Sequence, residues 1–401
     1  MEISQKRFRA LSWALYDFAN TIFSAVVLTS YFPLYLNERA HGKPWYLGLA
    51  TTGSMLLAGA AVPLLGALSD STGKTKTYLI RTTFLCLFFL IGLSIFNSIG
   101  LLMTCFVISC FFYHAALVFY HALLPAVAEP AEQGKISGLG TGLGYLGVVI
   151  ALPIVHEVEK LWGKPSVFTA AAVLFLLFSL PVFLWVPERK VQNPETFKLN
   201  LWADEWRKTF IAFKEISKSN VLRSFFAGNF LVLEALNATI FWFAVYAKET
   251  FNPGSGKIIQ LLLGVNASAF VTGLACGWLT DKFSSKNILA LSAFSLALTV
   301  SILALMPDFQ SFLIVCCAGG AFAISGIWTA GRKRVLELAP QEKLGTYCGF
   351  YNLTTKVSVI SNLIFSVIAG YFGFKAALFF LAVPACAGAV LLLKKSTPTA
   401  V

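Results

Sequence analysis

The sequence predicts an all-α membrane protein of twelve transmembrane helices, arranged as two pseudo-symmetric six-helix bundles. Of the 401 residues, 57% are hydrophobic and only 12% are charged, about half the charged fraction of a soluble domain. Twelve apolar segments are long enough to cross a bilayer. No stretch between them could fold as a separate catalytic domain.

The apolar segments form two groups of six, separated by one polar interval. Numbered as spans 1 to 12, they cover residues 12–36, 45–68, 77–97, 99–124, 137–156, 165–186, 221–247, 257–280, 286–306, 309–330, 344–371 and 373–393. The interval from Pro187 to Asn220 has apolar residues every three or four positions, which predicts an amphipathic helix on the membrane surface. We therefore predict an N-terminal bundle at 1–187, a linker at 188–220 and a C-terminal bundle at 221–401.

Basic residues indicate the orientation. The chain has a net charge of +12, and most of its 31 Lys and Arg residues fall on the side of the membrane that carries both termini. The positive-inside rule then predicts cytoplasmic termini in a multi-pass protein of a bacterial inner membrane, with basic loops rather than a nucleic-acid site. The eight cysteines lie in apolar segments without metal-ligand spacing, so neither a metal nor another cofactor is expected.

A repeat with an offset of 211 residues relates the two halves. It carries Gly66 and Asp70, near the end of span 2, onto Gly277 and Asp281, near the end of span 8. Glycine lets two helices approach closely, and an aspartate near a helix end can bind a neighbouring helix terminus or a basic residue. Ser284 and Ser285 stand in the second copy where the first has a Gly-Lys pair. The predicted gating loops comprise Gly66, Asp70, Gly73, Lys74, Gly277 and Asp281.

Several of these segments resemble a known family. The loop from Gly66 to Lys76 resembles the signature loop of the major facilitator superfamily. Residues 13–20, 119–125, 134–138 and 144–147 are similar to its vacuole-effluxer-like branch, also called the "unknown major facilitator" group. The resemblance implies a twelve-helix secondary carrier whose spans 1, 4, 7 and 10 surround the cavity. In the fungal branch it suggests efflux of amino acids from the vacuole.

Polar side chains inside the spans are candidates for a substrate and proton pathway, because a charge at the bilayer centre costs about 2.5–3.5 kcal/mol on insertion scales. The candidates are Asp17, Asn20, His114, His121, Glu234, Asn237, Trp328 and Lys356. Glu234 lies deep in span 7 and is predicted to be the chief titrating group, with Lys356 or a histidine as its partner. Alternatives are an interfacial pairing of Asp17 with a basic neighbour such as Arg9, a structural hydrogen bond at Glu234 and core roles for the histidines.

Together these features predict a secondary active transporter, not an enzyme. The expected substrate is a small polar or zwitterionic solute, such as an amino acid, carried by alternating access with a proton as the coupling ion. The protein is expected to act in the lipid bilayer as a monomer. Residues 73–75 suggest a phosphate-binding loop, but Leu68 stands where that motif requires glycine. Two alternatives stay open, a drug or siderophore efflux carrier of the same fold and a non-transporting membrane receptor.

Overall fold

The computed structural model describes residues 2–39, 45–189, 191, 201–357 and 360–394. In this part of the chain, eleven helices are long and apolar enough to cross a membrane. Their bounds are Gln5–Leu36, Leu49–Thr72, Thr75–Ile95, Ile99–Ala122, Gln133–Trp162, Ser166–Trp185, Asn220–Phe251, Lys257–Phe283, Ser285–Leu305, Phe309–Leu338 and Phe374–Leu393. These helices correspond to spans 1 to 10 and span 12.

The remaining predicted span, span 11, contains two helices. They are Leu344–Val357 and Ile360–Phe372, on either side of two residues outside the described ranges. The all-α fold is therefore confirmed, with helices at all twelve predicted spans. The division into bundles at 187/188 and 220/221 stays a prediction.

Span 10 extends well beyond its predicted end. The sequence-based boundary at residue 330 was drawn before three consecutive cations, yet the helix continues to Leu338. Arg332 and Lys333 are buried inside the protein, each beside a carboxylate of another span. A charge that is paired inside the protein and does not face lipid can lie within a transmembrane helix. Hydropathy alone therefore places this boundary eight residues too early.

Two pairs of spans join the halves through closely packed glycines. Span 2 crosses span 11 where Gly66 meets Gly345, and a methyl group on Gly66 would overlap the Gly345 carbonyl. Span 5 crosses span 8 where Gly138 meets Gly277. The offset of 211 residues relates the two crossings, because it carries Gly66 onto Gly277 and Gly134 onto Gly345. Backbone-to-backbone packing of this kind requires residues without a Cβ atom.

A helix at Leu201–Lys218 occupies part of the predicted linker. It contacts both halves, because Glu205 accepts a hydrogen bond from Ser71 near the end of span 2 (2.6 Å) and Glu215 accepts from Lys343 before span 11 (2.7 Å). One face is buried and the other exposes aromatic side chains, including Trp206 and Phe210. We call the side of the molecule that carries this helix the linker side. Leu199, one of the regularly spaced apolar residues of the predicted amphipathic helix, lies outside the described residues.

Candidate functional site

The first predicted gating aspartate joins the two halves on the linker side. The carboxylate of Asp70 accepts hydrogen bonds from the backbone N–H groups of Gly345 and Thr346, both at 2.7 Å, and from the Thr346 hydroxyl at 2.9 Å. These are unpaired donors at the N-terminus of the span 11 helix, where the helix dipole also favours an anion. Arg189 forms an ion pair with the same carboxylate, and both side chains are buried.

The second predicted gating aspartate, Asp281, joins the two halves at the position related to Asp70 by the repeat. Asp281 accepts from the backbone N–H groups of Gly134 and Lys135, both at 2.8 Å, at the start of span 5. Lys333 supplies the cation at 2.6 Å. Although the second copy lacks the Gly-Lys pair, Asp281 makes contacts across the halves that match those of Asp70. We call the two groups the Asp70 latch and the Asp281 latch.

The other loop candidates form no hydrogen bond or ion pair between the halves in the described part of the chain. Gly73 has a φ of +67° and ends the span 2 helix, a conformation that favours glycine. Lys74 precedes the span 3 helix and is exposed, and its side chain forms no hydrogen bond or ion pair with the described residues. Gly66 and Gly277 act instead through the crossings, where they let the backbones approach.

A buried ion pair connects span 1 to span 10. The Arg332 guanidinium donates to the Asp17 carboxylate at 2.8 Å, and both residues are 5% exposed or less. The guanidinium also lies over the rings of Trp13 and Tyr120, at 5.3 and 5.4 Å from their centroids. Asp17 therefore pairs across the two halves, and the alternative pairing with Arg9 is wrong. Because both charges are buried, each needs the opposite charge of the other to offset the cost of its desolvation.

The two histidines of span 4 both face span 11. His121 Nδ1 lies 3.1 Å from the side-chain amide nitrogen of Asn352, which also donates to the Cys348 carbonyl at 2.8 Å. Both ring nitrogens of His114 are buried without a hydrogen-bond partner in the described part of the chain. The histidines therefore lie between the halves, as the cavity hypothesis requires, rather than inside one bundle.

Lys356 lies in the same region and is buried. Its ammonium group is near enough to His114 and to Cys110 for electrostatic interaction. Among the described residues it has no ion pair and no hydrogen bond. A buried cation without an anionic partner carries a large desolvation cost, which a negatively charged group entering the protein would relieve.

Glu234 lies between spans 7 and 11 of the second half. Its carboxyl is within hydrogen-bonding reach of the Ser361 hydroxyl and backbone N–H, and its Oε1 atom is buried without a partner in the described residues. One turn earlier on span 7, Asn229 donates to Thr354 of span 11 at 2.9 Å. The predicted pairing of Glu234 with Lys356 is wrong within the described structure, because Lys356 points to span 4 instead. Burial at Glu234 is nevertheless confirmed, at 7% exposure.

The remaining candidates lie beside these groups. Asn20 is half-buried, and its amide nitrogen approaches the Asp17 carboxylate at 3.5 Å. Asn237 lies one turn after Glu234, is half-buried and interacts with a neighbouring group. Trp328 is half-buried one turn before Arg332 on span 10. Within the described residues, no group of three or more His, Cys, Asp or Glu side chains could hold a metal ion.

Sequence reasoning missed the cations that complete the site. Arg332, Lys333 and Arg189 were assigned to loops, yet each neutralises a carboxylate inside the protein. A signal was available for two of them, because no proline separates Trp328 from Arg332 and Lys333, and the one glycine there, Gly331, is tolerated inside a helix. Continued helical periodicity would have placed both inside span 10.

This arrangement defines a class of protein. Helices at the twelve predicted spans, in two halves related by the repeat and with charged side chains between them, are the arrangement that secondary transporters use. The model of the Major Facilitator Superfamily matches residues 11–355 and 232–401. The chain belongs to this family, which confirms the resemblance at the superfamily level. The vacuole-effluxer-like branch stays a prediction.

Similar proteins and structures agree with that assignment. An uncharacterized protein of Aquifex aeolicus is 25% identical over 357 residues, covering 89% of this chain and 88% of its own. The uncharacterized MFS-type transporter YxiO of Bacillus subtilis is 24% identical over 385 residues, covering 89% and 87%. The crystal structure of the human organic anion transporter MFSD10 superposes with a TM-score of 0.80 at 13% identity, covering 96% of this chain and 99% of that chain.

Proposed function

We propose that the protein is a proton-linked secondary transporter of a small zwitterionic solute, such as an amino acid. A zwitterion needs one cation and one anion that do not neutralise each other. Lys356 and Glu234 meet this requirement, since both are buried beside or on span 11 and no ion pair joins them in the described residues. That separation is the single observation on which the proposal rests.

In this mechanism Lys356 and the unpartnered imidazole of His114 bind the solute carboxylate. Glu234 receives the solute amine or a proton, and its unpartnered Oε1 atom is available for either. Exchange of one for the other links solute movement to the proton gradient. The Asp70 and Asp281 latches hold the linker side closed, and their release lets the halves rock about the site.

Flux into proteoliposomes tests the proposal. A thermal-shift screen against amino acids, peptides, nucleosides and metal chelates first selects the solute, and a radiolabelled form is then followed under an imposed pH gradient. Glu234→Gln should abolish acceleration by the gradient, whereas Glu249→Gln, at the exposed end of the same helix, should keep it. Gradient-driven uptake that is unchanged in Glu234→Gln would remove Glu234 from the mechanism.

A second candidate is transport of an organic anion that lacks an amine. It is supported by the unpaired Lys356 and by the names of two similar proteins, MFSD10 and the probable anion transporter 5 of Arabidopsis thaliana, which is 22% identical over 283 residues. Competition separates the candidates. Carboxylates without an amino group should displace the labelled solute equally well for an anion carrier, and poorly for a zwitterion carrier.

We also propose that the linker side faces the cytoplasm of a bacterial inner membrane. The excess of Lys and Arg on that side supports this orientation. Green fluorescent protein fused after Val401 should then fluoresce in a bacterial host, and alkaline phosphatase at the same position should be inactive. Active phosphatase would reverse the orientation.

A further inference from the structure

A basic cavity opens on the linker side of the second half, away from the site between the halves. Its volume is about 290 Å³, and it lies among the ends of spans 7, 9, 10 and 12. Four cations line it, one from each of these spans or from the residue that follows it. They are Arg223, Lys286, Arg334 and Lys394.

The charge in this cavity is largely uncompensated. No carboxylate is among the lining residues. Arg223 donates to the neutral amide oxygen of Asn220 at 2.8 Å, and Lys286 donates to the backbone carbonyl of Lys394 at 2.9 Å. Of the four cations, only Arg334 donates to a carboxylate in the described structure, that of Glu337 at 3.1 Å, and Glu337 does not line the cavity. The helices of spans 7 and 9 begin here and those of spans 10 and 12 end here, so the partial charges of their termini largely offset one another.

The cluster is not a general property of the linker side. The offset of 211 residues carries the four cations onto Ser12, Thr75, Leu123 and Phe183 of the first half, none of which is charged. Among the positions that correspond to the other lining residues, the first half has one cation, Arg9, at the position of Asn220. A common excess of basic residues would place similar clusters at equivalent positions of both halves, so this cluster is a feature of the second half.

The chemistry of the lining selects an anion that carries phosphate. Two guanidinium groups provide paired donors for phosphate oxygens, and the ammonium groups add compact positive charge. The other wall is apolar and includes Val221, Leu289 and Leu391, which a freely soluble anion would not use. Basic pockets between transmembrane helices at the level of the headgroups suit acidic lipids.

We propose that this cavity binds the phosphate headgroup of an acidic phospholipid. The headgroup contacts the four cations and the acyl chains follow the apolar wall. Arg334 is adjacent in sequence to Lys333 of the Asp281 latch, so the bound lipid holds the end of span 10 beside that latch. The proposal is independent of the transported solute.

Binding is tested with purified protein in nanodiscs of phosphatidylglycerol or phosphatidylcholine, with native mass spectrometry to count retained lipid. The test variant is Arg223→Gln with Lys286→Gln. The control is Lys282→Gln with Lys214→Gln, an equal loss of charge at exposed residues outside the cavity. Phosphatidylglycerol should raise the unfolding temperature of the wild type and the control, and the test variant should bind it roughly 30-fold more weakly, at about fivefold for each cation.

Three outcomes would overturn the proposal. The first is a test variant that keeps the full stabilisation by phosphatidylglycerol. The second is a control variant that loses as much phosphatidylglycerol binding as the test variant, which would assign the effect to net charge rather than to the cavity. The third is full stabilisation by soluble glycerol phosphate or inorganic phosphate in phosphatidylcholine, which would assign the cavity to a soluble anion instead.

Discussion

At the residue scale, the buried charges of the candidate site divide into two kinds. Asp17 and Arg332 satisfy each other, and two aromatic rings cover the guanidinium. Lys356 and Glu234 do not satisfy each other, although both are buried to a similar degree. Paired charges stabilise one arrangement of the halves, whereas unpaired charges are available to a ligand. Under the proposed mechanism, this difference separates structural from substrate-binding groups.

The Asp17–Arg332 pair should be strongly coupled in stability. Asp17→Asn or Arg332→Gln alone leaves one buried charge without a partner, and each should lower the free energy of unfolding by about 3–5 kcal/mol. The double variant should lose much less than the sum of the two. Chemical denaturation in detergent, followed by tryptophan fluorescence, measures all three.

The exposed pair of Lys343 and Glu215 is the matched control. Its side chains are 39% and 44% exposed, so its removal should change the free energy of unfolding by only about 0–1 kcal/mol. Additive losses at Asp17 and Arg332 would mean that the two charges do not stabilise each other.

At the element scale, glycines determine which helices can cross. Span 2 contains Gly53 and Gly66 in one continuous helix. Gly66 touches the backbone of span 11, whereas the atom nearest to a methyl group on Gly53 would be a Val107 side-chain carbon at 4.0 Å. The two positions have the same helix propensity but different surroundings, so they separate the effect of the crossing from that of the helix itself.

Gly66→Ala should therefore destabilise the protein, and Gly53→Ala should not. Overpacking at Gly66 should cost about 1–3 kcal/mol, since backbone atoms of Gly345 cannot move aside as a flexible side chain can. Gly53→Ala should be neutral or stabilising by up to about 1 kcal/mol through helix propensity. Thermal unfolding of the two variants side by side measures the difference, and equal unfolding temperatures would show that the crossing tolerates a Cβ atom.

At the scale of the whole molecule, the two latches lie at crossings related by the repeat and join the halves on the same side. Each uses an aspartate of one half to bind the start of a helix in the other half. If the halves move as rigid bodies, opening either latch must loosen both. Local fraying would loosen only the latch that was changed.

Cys348 reports on this distinction. It is fully buried on span 11 between the Asp70 latch and Arg332. Asp70→Ala and Asp281→Ala should each increase its modification by a water-soluble maleimide about 5- to 150-fold, the range expected for a coupling of about 1–3 kcal/mol. Mass spectrometry of the labelled peptides measures the rates.

Cys86 is the internal control, because it is buried inside the first half and hydrogen-bonded to Ser109. Its modification should stay low in both variants. Labelling of Cys348 that increases in Asp70→Ala but not in Asp281→Ala would contradict rigid-body rocking.

The sequence by itself determined the membrane-spanning class, the positions of the spans and the internal repeat. It also singled out Asp17, His121, Glu234 and both latch aspartates as polar groups in unusual places. Hydropathy and periodicity are local properties read from consecutive residues, and the repeat is found by comparing two such stretches.

Only the tertiary structure decided the partners. Asp17 binds a residue 315 positions away, Asp70 binds residues 275 and 276 away, and His121 meets one 231 away. Each pairing depends on which helices touch and at what height, and nothing in a single stretch of sequence encodes that contact. The end of span 10 was misplaced for the same reason, because a buried cation resembles a loop residue until the carboxylate opposite it is known.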